Sequence, residues 1–276
     1  MIELPEALTL VRQINDTLKG KQILHVIADH SPHKFAWYHG DPQGYGKLLE
    51  GNTIEGAEAC GGMVRIQTSG ATLLLGEGIG LRYYEADQKT PPKHQLLLEL
   101  EDHTKVTASV QMYGGIWCFQ EDADFQNPYY KITKEKPSPL SEAFDEVYFQ
   151  NMLSVPGAEK LSAKAFLATE QRMPGFGNGV LQDVLWHAGI HPKRKMKTLD
   201  GVQIEQLFKS IKTVLSKMAE LGGRDTEKDL FGNNGGYRTH MSKNNVDVPC
   251  PKCGQLIQKE NYMGGSVYYC GGCQLI

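Results

Sequence analysis

The apolar positions of this chain change period twice. Between residues 5 and 19, Leu8, Val11, Ile14 and Leu18 recur at helical spacing, Pro5 suits a first turn and Gly20 ends the run, so an amphipathic helix is expected. From residue 22 to 120 the period shortens towards that of a strand. Runs at 23–27, 63–67, 71–75, 95–100, 105–110 and 116–119 read as strands, joined by turns at Ser69-Gly70 and 101–104. Such short hairpins predict an antiparallel sandwich or barrel. Residues 30–46, with two prolines, three glycines and four aromatics, give no assignment. Residues 121–139 are polar and carry proline, which suits a linker. Beyond it, runs at 141–153, 162–172, 179–187 and 201–220 return to three- and four-residue steps. The expected fold is α+β: a β-sandwich with a leading helix over 1–120, a linker over 121–140, a helical domain over 141–240 and a metal module over 241–276.

That last module is marked by Cys250-Pro-Lys-Cys253 and Cys270-Gly-Gly-Cys273, sixteen residues apart. At this separation two turns fit one β-hairpin, and four thiolates converge on a single zinc ion. The alternatives are two disulfides or four idle thiols. No leader-like segment opens the chain, so a reducing, cytoplasmic setting is expected and disulfides are disfavoured. Four protein ligands leave no open position, which makes the zinc structural. Cys60 and Cys118 fall outside this set and read as buried apolar residues.

Charge sharpens the picture. The net charge of −3 divides unevenly: residues 193–276 hold 13 Lys/Arg against 8 Asp/Glu, a net +5, and the remaining 16 against 24 give −8. A basic C-terminal third suggests a polyanionic partner. No apolar run is long enough to cross a membrane.

Three stretches carry candidate chemistry. Met1-Ile2-Glu3-Leu4 leads directly into the first helix, either as a frayed end or as an anchored amine beside the carboxylate of Glu3. Residues 173–179, Met-Pro-Gly-Phe-Gly-Asn-Gly, open a tight turn into a helix, as a plain connection or as a phosphate-binding N-terminus. Residues 221–238, with five glycines, read as a mobile loop, a ligand cover or a linker.

In this order the motifs resemble the formamidopyrimidine-DNA glycosylase/endonuclease VIII family over essentially the whole chain. The matching residues are Glu3-Leu-Pro-Glu6, 18–25, Pro174-Gly-Phe-Gly-Asn-Gly179, Leu185-Trp-His-Ala-Gly-Ile-His-Pro192, Leu221-Gly-Gly with Thr226-Glu-Lys-Asp229, and the cysteine hairpin through Gln274. The segment around Asn178 is similar to the family's helix-two-turn-helix. The resemblance implies damaged double-stranded DNA, held in a cleft between two lobes with a lesion base flipped out of the stack. Lys164 and Asn178 would hold backbone phosphates, with Arg238 a further candidate for the grip, and the glycine loop from Gly232 to Tyr237 would cover the extruded base. A nucleoid-associated, bacterial-type monomer is expected.

The catalytic end departs from the family pattern. A proline follows the initiator methionine in the family and attacks the sugar through its secondary amine; here Ile2 stands there, with Glu3 retained. Met1, Ile2, Glu3 and Glu6 are the candidate catalytic positions. The amine available is that of Met1, one residue further out, and misplacement by about an ångström costs on the order of 100-fold. The family's lysine falls on Gly61 or Gly62, Glu77 occupies the void-filling position, Gln111-Met112-Tyr113 replaces the arginine–phenylalanine wedge, and Gly265 replaces the arginine of the zinc hairpin. Two functions follow as expectations: a glycosylase for oxidised or ring-opened bases with weak or lost lyase activity, or a non-catalytic damaged-DNA binder. A third, a shift to another nucleic-acid or protein partner, ranks below them.

Overall fold

The structure, a computed structural model, describes all residues of the chain except 121, 122 and 124. It begins with α1 (Leu4–Thr17), which starts one residue earlier than the sequence pattern suggests because the Glu3 amide donates to the Glu6 carboxylate at 3.1 Å and fixes the first turn. Two sheets follow. The first has the order β2 (Ala36–Tyr38), β9 (Gly114–Gln120), β5 (Ala71–Leu75), β4 (Met63–Thr68), β3 (Ile54–Cys60). The second has the order β1 (Ile23–Ala28), β7 (Leu96–Leu100), β8 (Lys105–Val110), β6 (Ile79–Tyr84). All neighbours are antiparallel except β2 with β9, so the expected antiparallel sandwich carries one parallel edge. Between β2 and β3 a short helix, α2 (Tyr45–Leu49), is pinned to the first sheet by the Tyr45 hydroxyl, which donates to the Ile116 carbonyl at 2.8 Å.

Three strands escaped the alternation pattern for local reasons. β3 carries Glu55 and Glu58 and a register shift at Gly56, which blur its period. β2 spans only three residues inside the aromatic loop, and β6 begins directly after Gly76-Glu77-Gly78. Part of the stretch expected to link the lobes lies outside the described residues. The rest holds α3 (Pro128–Glu135), capped by Asn127, with Tyr130 buried beside Phe119.

The helical lobe contains α4 (Glu146–Leu153), α5 (Ala163–Ala168), α6 (Asn178–Ala188) and α7 (Gly201–Glu220). α5 ends before residue 172 because Glu170 and Gln171 take left-handed backbone conformations, with φ of 58° and 44°. α1 joins the lobes by serving two cores. Ala7, Leu10 and Ile14 pack among the strands, while Leu4 and Leu8 pack with Phe166, Val180 and Leu181. The chain closes with β10 (Ile257–Tyr262) and β11 (Gly265–Cys270), paired from Ile257 opposite Cys270 to Tyr262 opposite Gly265. Among the described residues no helix is long and apolar enough to cross a membrane.

Candidate active site

The lobes meet around Glu3, which is 3 % exposed. Its two carboxylate oxygens accept from the Gly179 and Val180 amides at 2.8 and 2.7 Å, capping the first turn of α6 from the other lobe. The Gly-Phe-Gly-Asn-Gly sequence permits this approach: a Cβ on Gly177 would stand 2.5 Å from Glu3 Oε1, and one on Gly179 would overlap the Arg224 guanidinium. Arg224 is equally buried and donates to Glu6 through Nε at 3.0 Å and Nη2 at 2.8 Å, a fork grip, while its Nη1 lies 3.6 Å from Glu3. One guanidinium therefore serves two carboxylates. Burial raises the pKa of Glu3 and the Glu6 charge adds to it, against the opposing pull of Arg224 and the two amides. Burial also works to raise Glu6, but the charge and hydrogen bonds of Arg224 outweigh it and hold that carboxyl below its ordinary value. The two carboxylates are thus driven apart in acidity.

The chain terminus is anchored, not frayed. Ile2 is buried among the strands and its amide donates to the Glu77 carbonyl at 2.6 Å; the Met1 amine is ion-paired with Glu227. Met1, Glu6, Arg82 and Glu227 contribute to the wall of a cavity of 200 Å³. Where the resemblance places a lysine, the glycines present are required by packing. Gly61 and Gly175 meet backbone to backbone at left-handed φ values of +60° and +76°, and a Cβ on Gly175 would stand 2.5 Å from the Gly61 carbonyl carbon. Next to it, a Cβ on Gly62 would come within 3.1 Å of Glu77 Cγ and 3.2 Å of the Ile2 carbonyl oxygen. A carboxylate thus occupies the space a lysine would need. Burial, and then the nearby charge of Glu3, push Glu77 up to about 7, with a 3.1 Å hydrogen bond from Gln171 acting in the other direction.

On the far side of α6, Lys164 and Asn178 converge on the turn of the cysteine hairpin. Lys164 Nζ donates to the Tyr262 carbonyl at 2.6 Å and Asn178 Nδ2 to the Ser266 carbonyl at 3.0 Å, while Asn178 Oδ1 is buried without a partner among the described residues. A Cβ on Gly265 would lie 3.3 Å from Lys164 Nζ and 3.7 Å from Asn178 Nδ2, so a side chain there would join the same cluster. The two loop residues expected to face a ligand differ from each other. Arg238 is exposed, but Tyr237 lies in the helical core with its hydroxyl donating to Asp183 at 3.0 Å, which leaves it turned inward. The glycine loop itself is tied down: the Tyr237 amide donates to the Gly223 carbonyl at 2.9 Å and the Asp229 carboxylate accepts from the Phe231 and Asn233 amides.

The sulfurs of Cys250, Cys253, Cys270 and Cys273 all lie within 4.8 Å of one another, a candidate metal site. Two of the separations are 3.8 and 3.3 Å, near the edge of about 3.8 Å expected for a sulfur tetrahedron around zinc. Cys60 and Cys118 are buried, and burial pushes both thiols up to about 12, as suits inert core residues. Arg224 and Glu227 were not singled out by the sequence, although both sit among the matching motifs. What gives them roles is contact with residues more than 200 positions away, which no spacing encodes.

Comparison with known proteins places this geometry. A family model for the formamidopyrimidine-DNA glycosylase N-terminal domain matches residues 1–124, and one for the helix-two-turn-helix domain of the same glycosylase matches residues 136–229. Formamidopyrimidine-DNA glycosylase of Lactococcus lactis is 28% identical over 282 residues, covering 99% of each chain. That of Prochlorococcus marinus strain MIT 9312 is 32% identical over 169 residues, where the match spans 60% of this chain and 56% of the relative. In solved structures, the MutM (Fpg) protein of Thermus thermophilus superposes with a TM-score of 0.80 at 24% identity, covering 99% of this chain and 98% of that one. The Lactococcus lactis Fpg bound to DNA containing an abasic site gives 0.82 at 24% identity, covering 99% and 100%. The chain belongs to the formamidopyrimidine-DNA glycosylase family.

Proposed function

We propose that this protein binds duplex DNA in the cleft between its lobes and acts as a DNA glycosylase on oxidised or ring-opened bases, with abasic-site lyase activity weak or lost. The observation that carries the reading is the buried Glu3, held against the α6 amides with its acidity lowered while Glu6 keeps the fork grip of Arg224. A carboxyl whose pKa is raised by burial is suited to proton transfer near neutral pH. In the hydrolytic route, Glu3 accepts a proton from water as that oxygen bonds to the anomeric carbon. The N-glycosyl bond breaks, its electron pair leaves with the base, and the base takes up a proton.

Lyase chemistry would need an amine with a free lone pair. The Met1 amine is engaged in its ion pair with Glu227, and Ile2 presents an amide already donating to the Glu77 carbonyl. Lys164, Asn178 and Arg238 would hold phosphates, and the four cysteines would hold a structural zinc ion that fixes the hairpin against α6. The candidate catalytic set then reduces to Glu3, with Met1, Ile2 and Glu6 as positioning residues.

The second reading, a non-catalytic damaged-DNA binder, is favoured by the carboxylate of Glu77 in the space where a lysine would sit. One experiment separates the two. A duplex carrying an oxidised or ring-opened base should lose that base on incubation with the intact protein, and Glu3→Gln should abolish the release. Tight duplex binding with no release across a broad set of lesions would leave only the binder. Borohydride should trap no covalent adduct on abasic DNA; a trapped adduct would restore the lyase.

A further inference from the structure

A second cavity, of 410 Å³, lies beside the Met1 cavity without sharing a residue with it. The same two loops form both. Gly76, Glu77, Gly78 and Tyr113 line the larger one, whereas Ile79, Gly80, Leu81 and Gln111 line the smaller. The larger volume falls within the range of about 300–1,000 Å³ typical of small-molecule sites.

Its walls are aromatic. Trp37, Tyr113, Trp117 and Tyr129 contribute rings, and those of Trp37 and Tyr113 stand 5.9 Å apart. Trp37 and Tyr129 remain 49 % and 58 % exposed, so both ring faces are open to a ligand entering the cavity. The fourth ring is seated by glycines. A Cβ on Gly115 would stand 1.9 Å from Trp117 Cζ2, and one on Gly76 would stand 3.3 Å from its Cη2, so only glycine lets this indole lie against the backbone. Apart from the rings, the polar side chains are few: the Glu77 carboxylate and the Gln171 carboxamide, hydrogen-bonded to each other at 3.1 Å, with Thr169 and the exposed Glu170, ion-paired with Arg172, beside them. Gln171 is held in place by a left-handed φ of 44° and by the Gly175 amide, which donates to its Oε1 at 3.3 Å. Among the described residues lining the cavity there is no lysine, arginine or histidine.

Rings for stacking, an amide–carboxyl pair for an edge and no cation for a phosphate describe a site for a flat heterocycle. We infer that this cavity is a second nucleobase site, which takes the base opposite an extruded nucleotide and favours an edge rich in N–H donors, as guanine presents. The inference rests on the DNA-binding reading above for the source of the base, but not for the pocket itself. It also gives the departures at Glu77 and Tyr113 a common purpose: the space vacated in the duplex is handled by receiving the partner base.

The test uses the full-length protein and two probes. Guanosine titrated against tryptophan emission should give saturable quenching from Trp37 and Trp117, with Trp186, in the helical lobe, as a constant background. Trp37→Ala and Tyr113→Ala should each weaken it by about tenfold, Trp37→Phe should retain most of it, and thymidine should bind more weakly than guanosine. Linear, unsaturable quenching that is the same in wild type and both alanine variants overturns the pocket. In the second arm, a duplex with 2-aminopurine opposite an abasic-site analogue is followed by anisotropy for binding and by 2-aminopurine emission for unstacking. Duplex binding with an emission change that Trp37→Ala removes supports the inference; binding with the same emission in both proteins overturns it. Loss of duplex binding with guanosine quenching intact overturns the clamp reading alone.

Discussion

The first turn of α6 is touched from two sides, and the two sides have very different histories. On one, Asn178 reaches the turn of the cysteine hairpin together with Lys164. On the other, the Gly179 and Val180 amides are capped by Glu3 from the N-terminal lobe. The hairpin side holds Lys164 and Asn178 where the resemblance expects them, with Gly265 beside both. The terminal side is rebuilt: Ile2 is buried, the Met1 amine is paired, and Glu77 fills the space beside two glycines in close contact. If the proposed function holds, the group that grips DNA and the group that acts on it meet at one helical turn yet depart from the expected pattern to different extents.

The most severe way to break the hairpin side is to remove one of the four clustered cysteines, the residues proposed to hold zinc. Cys270→Ser should unfold the hairpin, because structural zinc contributes about 10–16 kcal/mol of apparent binding free energy to such small modules. Lys164 and Asn178 then lose their carbonyl partners at Tyr262 and Ser266, and duplex affinity should fall on the order of 100-fold or more. Metal analysis, limited proteolysis across 250–273 and fluorescence anisotropy would read this together. An intact, metal-free hairpin with full duplex affinity would refute it.

The matching perturbation on the terminal side is Arg224→Met, which leaves Glu3 and Glu6 buried without their shared cation. Breaking a buried pair in this way costs about 3–5 kcal/mol, and chemical denaturation should show a loss of that size. The metal content should stay unchanged, since the Arg224 guanidinium bonds Glu6 and the Met1 carbonyl and none of the four cysteines.

Glu77 gives a smaller effect with a definite pH signature. Its carboxyl sits near 7 in the folded protein, above the 4.5 of an ordinary glutamate, so the folded state binds the proton more tightly than the unfolded chain. The stability this confers is fully present below about 4.5 and is lost as pH rises through about 7. Glu77→Gln should be more stable than wild type at pH 8, by roughly 1–3 kcal/mol, and should flatten the decline between pH 5 and 8. Parallel pH–stability curves for the two proteins would show that the carboxyl is not buried as described.

How much of this was legible in the sequence follows the same divide. Apolar patterning located α1, six of the strands and the four helices past the linker, as a periodic face in α1 and α7 and as a continuous apolar run in β5, which is buried at all five positions. It missed β2, β3 and β6, where a three-residue edge, a bulge at Gly56 with flanking glutamates, and a glycine-rich entry interrupt the period. The cysteine spacing was enough to place four sulfurs together, since the hairpin is a local structure. Arg224 and Glu227 could not be found in the same way, for their partners lie at the opposite end of the chain. The same holds for the contact between Gly61 and Gly175, which turns an apparent loss of a lysine into a packing requirement.

The mildest change probes whether the hairpin side is as intact as its geometry suggests. Gly265→Arg adds a cation whose Cβ would lie 3.3 Å from Lys164 Nζ and 3.7 Å from Asn178 Nδ2, beside the two groups proposed to hold phosphate. Gly265 opens β11 opposite Tyr262 and needs no left-handed backbone, so the substitution should be tolerated by the fold. If the cluster faces the DNA backbone, the new guanidinium should release about one further counterion on binding. The slope of log K against log salt concentration should then steepen by about 0.9. Lys164 repulsion would oppose this at low salt and fade as salt rises, so affinity measured at one salt concentration would be ambiguous and the slope would not. An unchanged slope, with zinc content and fold retained, would place the phosphate backbone elsewhere and leave Asn178 and Lys164 as supports for the hairpin alone.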